Sequence, residues 1–341
     1  MNIQVGRIAR HPWKRMLALT TVLLAAGVPG TAQAAPAGAG ATLTLVAYST
    51  PAEAYAQIIP AFQKTSAGSG VQFHTSYGAS GDQSRAVVAG LQADVVAFSL
   101  APDITRLVAD GLVAKNWATG PLKGMVTDSV VVLAVRKGNP KHIAGWDDLI
   151  KPGIEVITPN PFTSGGARWN VMAAYGAELK EGKSSAQAVA YLTTLFSHVA
   201  VQNDSARQEL QTFAGGKGDV MIAYENEAIT AQRKGTKLDY IVPAQTILIE
   251  NPIAVSTKSS QATAARAFVS FAQSVAGQRL FGQNGYRPVL ASVAKTFHFP
   301  TPRVLFTIDN LGGWDKVTTQ FFDPQSGIMA QIERGRGVSA G

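Results

Sequence analysis

The sequence predicts an α/β protein of two doubly wound lobes, and three observations carry that reading. Short β-rich runs alternate with stretches of helical periodicity from about Thr42 onward. The strand candidates are apolar on both faces, as in "ADVVAFSL" (93–100) and "DSVVVLAV" (128–135), the pattern of parallel sheets covered by helices on both sides. A unit of strand, Ser-Gly and helix occurs twice, at Ser80-Gly81 and at Ser164-Gly165, as two similar lobes would produce.

Element by element, "TLTLVAY" (42–48) reads as a buried strand, and "AEAYAQIIPAFQKT" (52–65) as a helix with Tyr55, Ile58, Ile59 and Phe62 on one face. "VQFHTSY" (71–77) is a strand, "GDQSRAVVAGL" (81–91) a helix and "ADVVAFSL" a strand. The alternation continues through "IEVITPN" (154–160), a helix from "GARWNVMAAYGAEL" (166–179), "GDVMIAYENEA" (218–228) and "ILIENPIAVSTK" (247–258). The run 129–135, followed by the Lys137-Gly138-Asn139-Pro140 turn, carries the chain from one lobe to the other, and 247–255 carries it back. Lobe 1 is then 41–130 plus 248–341 and lobe 2 is 131–247. Two crossings without a low-complexity linker predict lobes that hinge.

At 341 residues, 46% hydrophobic and 15% charged, the chain is globular and long enough for two domains. Its start is a separate matter. Arg7, Arg10, Lys14 and Arg15 precede an apolar run at 16–28, and "AQA" at 32–34 suits cleavage after a signal peptide. That run is shorter than the roughly 20 residues a membrane span needs. Residues 1–34 are therefore expected to be removed on export. Removal takes four of the 30 basic residues, leaving 26 against 22 acidic ones, a net +4 in place of +8. The remaining basic residues are scattered and not interleaved with aromatics, which argues against nucleic acid. Zero cysteines exclude disulfides, thiolate metal sites and a lipoprotein anchor, so an exported chain of this kind suits a bacterial periplasm.

The candidate site lies at strand ends, where open parallel sheets bind ligands. In "ITPNPFTSGGARWN" (157–170), Ser164, Gly165 and Gly166 open a helix with no carboxylate, histidine or cysteine nearby. Ser80 is an N-cap candidate, Asp204 or Ser205 another with Ala206 in the first turn, and Tyr224 ends "DVMIAY". Helix N-termini with unpaired N–H groups suit an anion. Capping alone, worth ~0.5–2 kcal/mol, also explains Ser80 and Ser205, and core packing explains Tyr224. The glycine pair is the stronger signal, because it loses backbone entropy unless a close approach requires it.

Catalytic motifs are missing from the sequence. Neither serine sits in G-x-S-x-G, H-E-x-x-H does not occur, and "GGKGD" (215–219) has Gly218 where a P-loop needs Ser or Thr. His74, His142, His198 and His298 are widely spaced, and Asp147-Asp148 and Glu225/Glu227 read as solvated helix ends.

"VITPNPFTSGGARWN", "VRKGNPK" with "WDDLIKPG", "IAYENEA", "YGASGDQSRAV", "YRPV" and "FTIDNLGGW" together resemble the bacterial periplasmic sulfate-binding protein family of ABC importers, from about Thr42 to about Asp323. The resemblance implies a type II periplasmic binding protein, two α/β lobes joined by two hinge crossovers and closing on dehydrated sulfate. It implies backbone donation from Ser80, Gly165, Gly166 and Ala206 and a hydroxyl from Ser164. The indole position of the family falls on Tyr224, a phenol that can donate but also accept. The same resemblance implies a monomer, a membrane permease driven by a separate ATPase as partner, and neither cofactor nor metal nor enzymatic activity. Thiosulfate is the alternative ligand, molybdate or tungstate a more distant one, and a secreted serine hydrolase using Ser164 or Ser80 is the alternative from another class.

Sulfate near neutral pH carries no proton, so a site for it needs donors only. Six hydrogen bonds to a charged group, at ~1.5–3 kcal/mol each, supply roughly 9–18 kcal/mol before association costs, against about 8 for micromolar affinity. Uncharged donors therefore suffice. Two expectations follow: affinity that is flat from about pH 5 to 8, and loss of binding when a side chain at Gly165 holds the backbone away from the anion.

Overall fold

The computed structural model describes residues 40–338; the proposed signal peptide, 1–34, lies outside the described residues. Among the described residues there are ten strands: β1 (Thr42–Tyr48), β2 (Gln72–Gly78), β3 (Val95–Ala97), β4 (Met125–Arg136), β5 (Val156–Ile157), β6 (Val199–Val201), β7 (Val220–Tyr224), β8 (Leu238–Ile241), β9 (Gln245–Val255) and β10 (Val304–Phe306). They join in the order β2-β1-β3-β9-β4-β7-β5-β6, with β10 on β9 and β8 on β4. Within each half the strands away from the crossing runs pair in parallel, β1 with β2 and β3, and β5 with β6 and β7, while the crossing runs pair antiparallel with β3, β7 and β8.

Between the halves the pairing is antiparallel, which the purely parallel expectation did not contain. β4 pairs with β9 through its first half (Met125 to Val130) and with β7 and β8 through its second. β9 continues onto β3. A strand that leaves one lobe and a strand that returns must run in opposite directions, so the two crossing runs meet head to tail. These are the two runs expected to cross.

Each half has helices on both faces. Leu43, Leu45 and Ala47 of β1 pack with Tyr55, Phe62, Phe268 and Phe281, while Val46 faces Val96, Phe98 and Ile104 on the other side. In the second half Val131, Leu133 and Val135 face Trp169, Tyr175 and Phe196, and Val130, Val132 and Ala134 face Phe213 and Met221. Period-two alternation with both faces apolar is thus what lets one strand serve two helical layers.

The end of the chain packs differently from the lobe limits read in the sequence. Helices Gly313–Phe322 and Ile328–Gly335 bury Val317, Phe321, Phe322, Met329 and Ala330 among second-half residues. Phe321 meets Tyr175 with ring centroids 4.7 Å apart, and Trp314 meets Trp169 at 4.7 Å. The segment after β10 therefore extends the core of the second half, although 248–341 was expected with the first. Its apolar positions match a surface that local sequence does not identify.

Candidate functional site

Four helix N-termini converge where the halves meet. Helix Ser80–Val88 follows β2, Gly165–Lys180 follows the loop after β5, Ala206–Ala214 follows β6, and Glu225–Arg233 follows β7 without a break. Ser80 was expected as an N-cap, but that position is Ala79 and Ser80 is the first helical residue. Its hydroxyl is engaged elsewhere, donating to Asp103 Oδ2 at 2.6 Å and accepting from Ser99 N–H at 2.9 Å. Ser164 and Ser205 are true N-caps, accepting from Ala167 N and Gln208 N at 3.3 Å each.

The backbone donors sort cleanly. Gly81 N–H donates to Thr163 O at 3.0 Å and Ser164 N–H to Asn160 O at 2.8 Å. By contrast, the N–H groups of Ser80, Gly165, Gly166 and Ala206 have no acceptor among the described residues. Each is first or second in its helix, where no intrahelical acceptor exists. Buried N–H groups are nearly always paired, and Ser80, Gly165 and Gly166 are buried.

A Cβ built on Gly166 would lie 3.4 Å from Ser164 Oγ, 3.5 Å from Tyr224 Cε1 and 3.6 Å from Ala206 Cβ. Ser164, Gly166, Ala206 and Tyr224 thus surround one point. Ser80 and Gly165 join them through Ser99, which bonds Ser80 Oγ, bonds Tyr224 Oη at 2.6 Å and occupies the space of a Gly165 Cβ at 2.7 Å. Gly165 therefore faces Ser99 and Leu100 of the opposite half, whereas Gly166 faces Ser164, Ala206 and Tyr224.

Sequence reasoning missed several residues here. Ser99 was read only as the end of "ADVVAFSL", although the strand-end rule applied to Tyr224 also points to it. Arg207 was missed as well. It reaches across the cleft to Glu53, with Nη2 to Oε2 at 2.7 Å, and to Thr50 O at 3.1 Å. It also meets Glu227 Oε1 at 3.4 Å. Burial pushes the Glu53 carboxyl up, but its bonds to Arg207 and Lys234 prevail and hold it down at about 2. Glu225 and Glu227 are not solvated helix ends. They are buried, Glu225 against Arg287 at 2.7 Å and Glu227 against Arg207.

Titrating groups therefore lie next to the site, contrary to the expectation of none. Glu209 and Glu227 line a narrow void with Gly166, Ala206 and Tyr224, and burial pushes both carboxyls up to about 7. Burial also raises the Tyr224 hydroxyl well above its usual range, so it keeps its proton. None of the six predicted site residues carries a charge. What this arrangement can do is present uncharged hydrogen-bond donors to one small, acceptor-only group in a dry space.

The profile of the bacterial extracellular solute-binding proteins matches residues 43–287. The chain belongs to that family. The solute-binding protein is 41% identical over 319 residues to a sulfate-binding protein of Synechococcus elongatus, covering 90% of this chain and 91% of the other. It is 34% identical to a thiosulfate-binding protein of Pseudomonas aeruginosa, covering 91% and 96%. The solved sulfate-binding protein SubI of Mycobacterium tuberculosis superposes with a TM-score of 0.81 at 47% identity, covering 83% of this chain and all of that one. The fold is the type II periplasmic binding protein, two α/β lobes joined by β4 and β9.

Proposed function

We propose that this solute-binding protein is a periplasmic receptor that captures sulfate between its lobes and delivers it to the membrane permease of an ABC importer. The observation that carries the reading is the set of four backbone N–H groups, on Ser80, Gly165, Gly166 and Ala206, without an acceptor among the described residues. They converge with Ser164 Oγ and Tyr224 Oη from both sides of the cleft. The Ser164 oxygen already accepts from Ala167 N–H, so its own hydrogen is available to the ligand. Sulfate accepts everywhere and donates nowhere, which suits a set made of donors only. The high identity to sulfate-binding relatives supports the same ligand.

We assign 41–130 and 248–303 to the first lobe and 131–247 to the second, with the C-terminal helices carried on the second. The protein acts as a monomer after loss of residues 1–34. Thiosulfate is the second reading, favoured by the thiosulfate-binding relative and by Tyr224 standing where the sulfate-binding pattern has an indole. Calorimetric titration of dialysed protein in a chloride buffer separates the two. Sulfate is expected to bind one-to-one with phosphate silent; heat from thiosulfate alone would shift the assignment, and silence from all oxyanions would refute it.

Glu209 and Glu227 give the binding a pH dependence. Their folded-state values near 7 lie above the ordinary carboxyl value, so the native state holds protons that the unfolded chain has lost between about pH 4.5 and 7. Stability from this source is present at low pH and declines as pH rises through 7. A dianion nearby raises these values further, so sulfate binding takes up protons. Affinity is expected to be on the order of fivefold higher at pH 6 than at pH 8, from about 1 kcal/mol of like-charge repulsion. Equal affinities at the two pH values would show that the carboxyls do not sense the anion.

A further inference from the structure

We propose that Ser99 is a positioning residue for specificity: its hydroxyl donates to Tyr224 Oη and so turns the Tyr224 O–H toward the bound oxyanion. This rests on the cleft being the anion site.

Every backbone group of Ser99 is already committed. Its N–H donates to Ser80 Oγ at 2.9 Å, and its carbonyl accepts from Trp169 Nε1 at 2.9 Å and from Asn251 Nδ2 at 2.8 Å. Three partners from three different parts of the chain clamp the residue, which is fully buried. The hydroxyl that remains lies 2.6 Å from Tyr224 Oη. Between two hydroxyls one hydrogen makes the shared bond and the other is left over.

If Tyr224 donated to Ser99, the Ser99 hydrogen would be the one left over. No acceptor for it is found among the described residues. The side-chain oxygen of nearby Asn251 accepts from Thr127 at 3.1 Å. If Ser99 donates, the left-over hydrogen is on Tyr224, whose ring edge flanks the point surrounded by Ser164, Gly166 and Ala206. An acceptor-only anion at that point completes the chain Ser99 O–H to Tyr224 O–H to oxyanion. Each hydrogen bond in such a chain polarises the next. The pair thereby makes a phenol, which can donate or accept, behave as a donor.

A double-substitution cycle with sulfate as the titrant tests this. Ser99→Ala and Tyr224→Phe are each expected to weaken binding about tenfold, and the double variant is expected to bind within about twofold of Tyr224→Phe. Ser99→Thr, which keeps the hydroxyl, is expected to retain affinity within about threefold of the unsubstituted protein. Thermal unfolding of each variant without sulfate identifies any loss that reflects folding alone. Should Ser99→Ala not fold, the Thr variant and Tyr224→Phe decide.

Multiplicative losses in the double variant, or Thr binding as weakly as Ala, would overturn the proposal, because a merely structural serine acts independently of the phenol. Ser164→Ala distinguishes the two levels. If it weakens sulfate while the cycle shows no coupling, only the role of Ser99 falls. If Ser164→Ala and Tyr224→Phe both leave affinity unchanged, the cleft is not the sulfate site and the role of Ser99 falls with it.

Discussion

Gly166→Ala is expected to remove sulfate binding and leave the fold intact. The added methyl would sit 3.4–3.6 Å from Ser164 Oγ, Tyr224 Cε1 and Ala206 Cβ, all ordinary contact distances, so the protein itself accommodates it. Gly166 does not have a positive φ, and alanine in a first helical turn is favourable by up to roughly 1 kcal/mol. The methyl occupies the point flanked by Ser164 Oγ, Tyr224 and Ala206, however, where the proposed anion is placed. Losing two charge-assisted hydrogen bonds predicts an affinity lower by on the order of 100-fold or more. Thermal unfolding without sulfate, and calorimetry with it, read the two effects separately.

Gly165→Ala offers the contrast. Its methyl would lie 2.7 Å from Leu100 Cδ2 and from Ser99 Oγ. It obstructs the approach of the lobes instead of the anion, so small-angle scattering with sulfate is expected to show incomplete closure. Affinity lost in Gly165→Ala but kept in Gly166→Ala would mean that the donors surround a different point.

Arg207→Ala is expected to weaken sulfate binding about 30-fold, although Arg207 is not one of the donors. Arg207 belongs to the second lobe and Glu53 to the first, so their pair exists only when the cleft is shut. Side-chain exposures of 22% and 21% place it between a surface pair and a fully buried one, worth about 2 kcal/mol. A ligand that selects the closed form loses affinity by whatever that form loses. The control is Glu53→Gln. If Arg207 works as a latch, neutralising Glu53 weakens binding too. If Arg207 attracts the anion directly, neutralising Glu53 strengthens it. Binding strengthened by Glu53→Gln would overturn the latch.

The parts of this molecule that were legible in the sequence are those encoded locally. A strand buried on both faces shows itself in its own residues, so β1, β4 and β9 were readable, as was the helix opening at Ser164. The proposed site residues stand out by type and position, since a hydroxyl or glycine at a strand-to-helix junction has few local reasons to be there. Partners distant in sequence were not legible. Ser99 derives its role from Ser80, Trp169, Tyr224 and Asn251, which lie 19 to 152 positions away. Glu225 and Glu227 look solvated until Arg287 and Arg207 are folded over them. Nothing local reveals that Leu100 of the other lobe lies against Gly165, so the second constraint on that glycine was not legible. The C-terminal helices went to the wrong lobe for the same reason.

The central claim is that the anion is held by uncharged donors and not by arginine. The most direct test is a crystal structure with selenate, a tetrahedral dianion whose selenium is located by anomalous scattering. The predicted selenium position lies among Ser80, Ser164, Gly166, Ala206 and Tyr224, with selenate oxygens about 2.7–3.2 Å from the four free backbone nitrogens. A single selenium position beside Arg207 or another guanidinium, with those four N–H groups still unpaired, would contradict it.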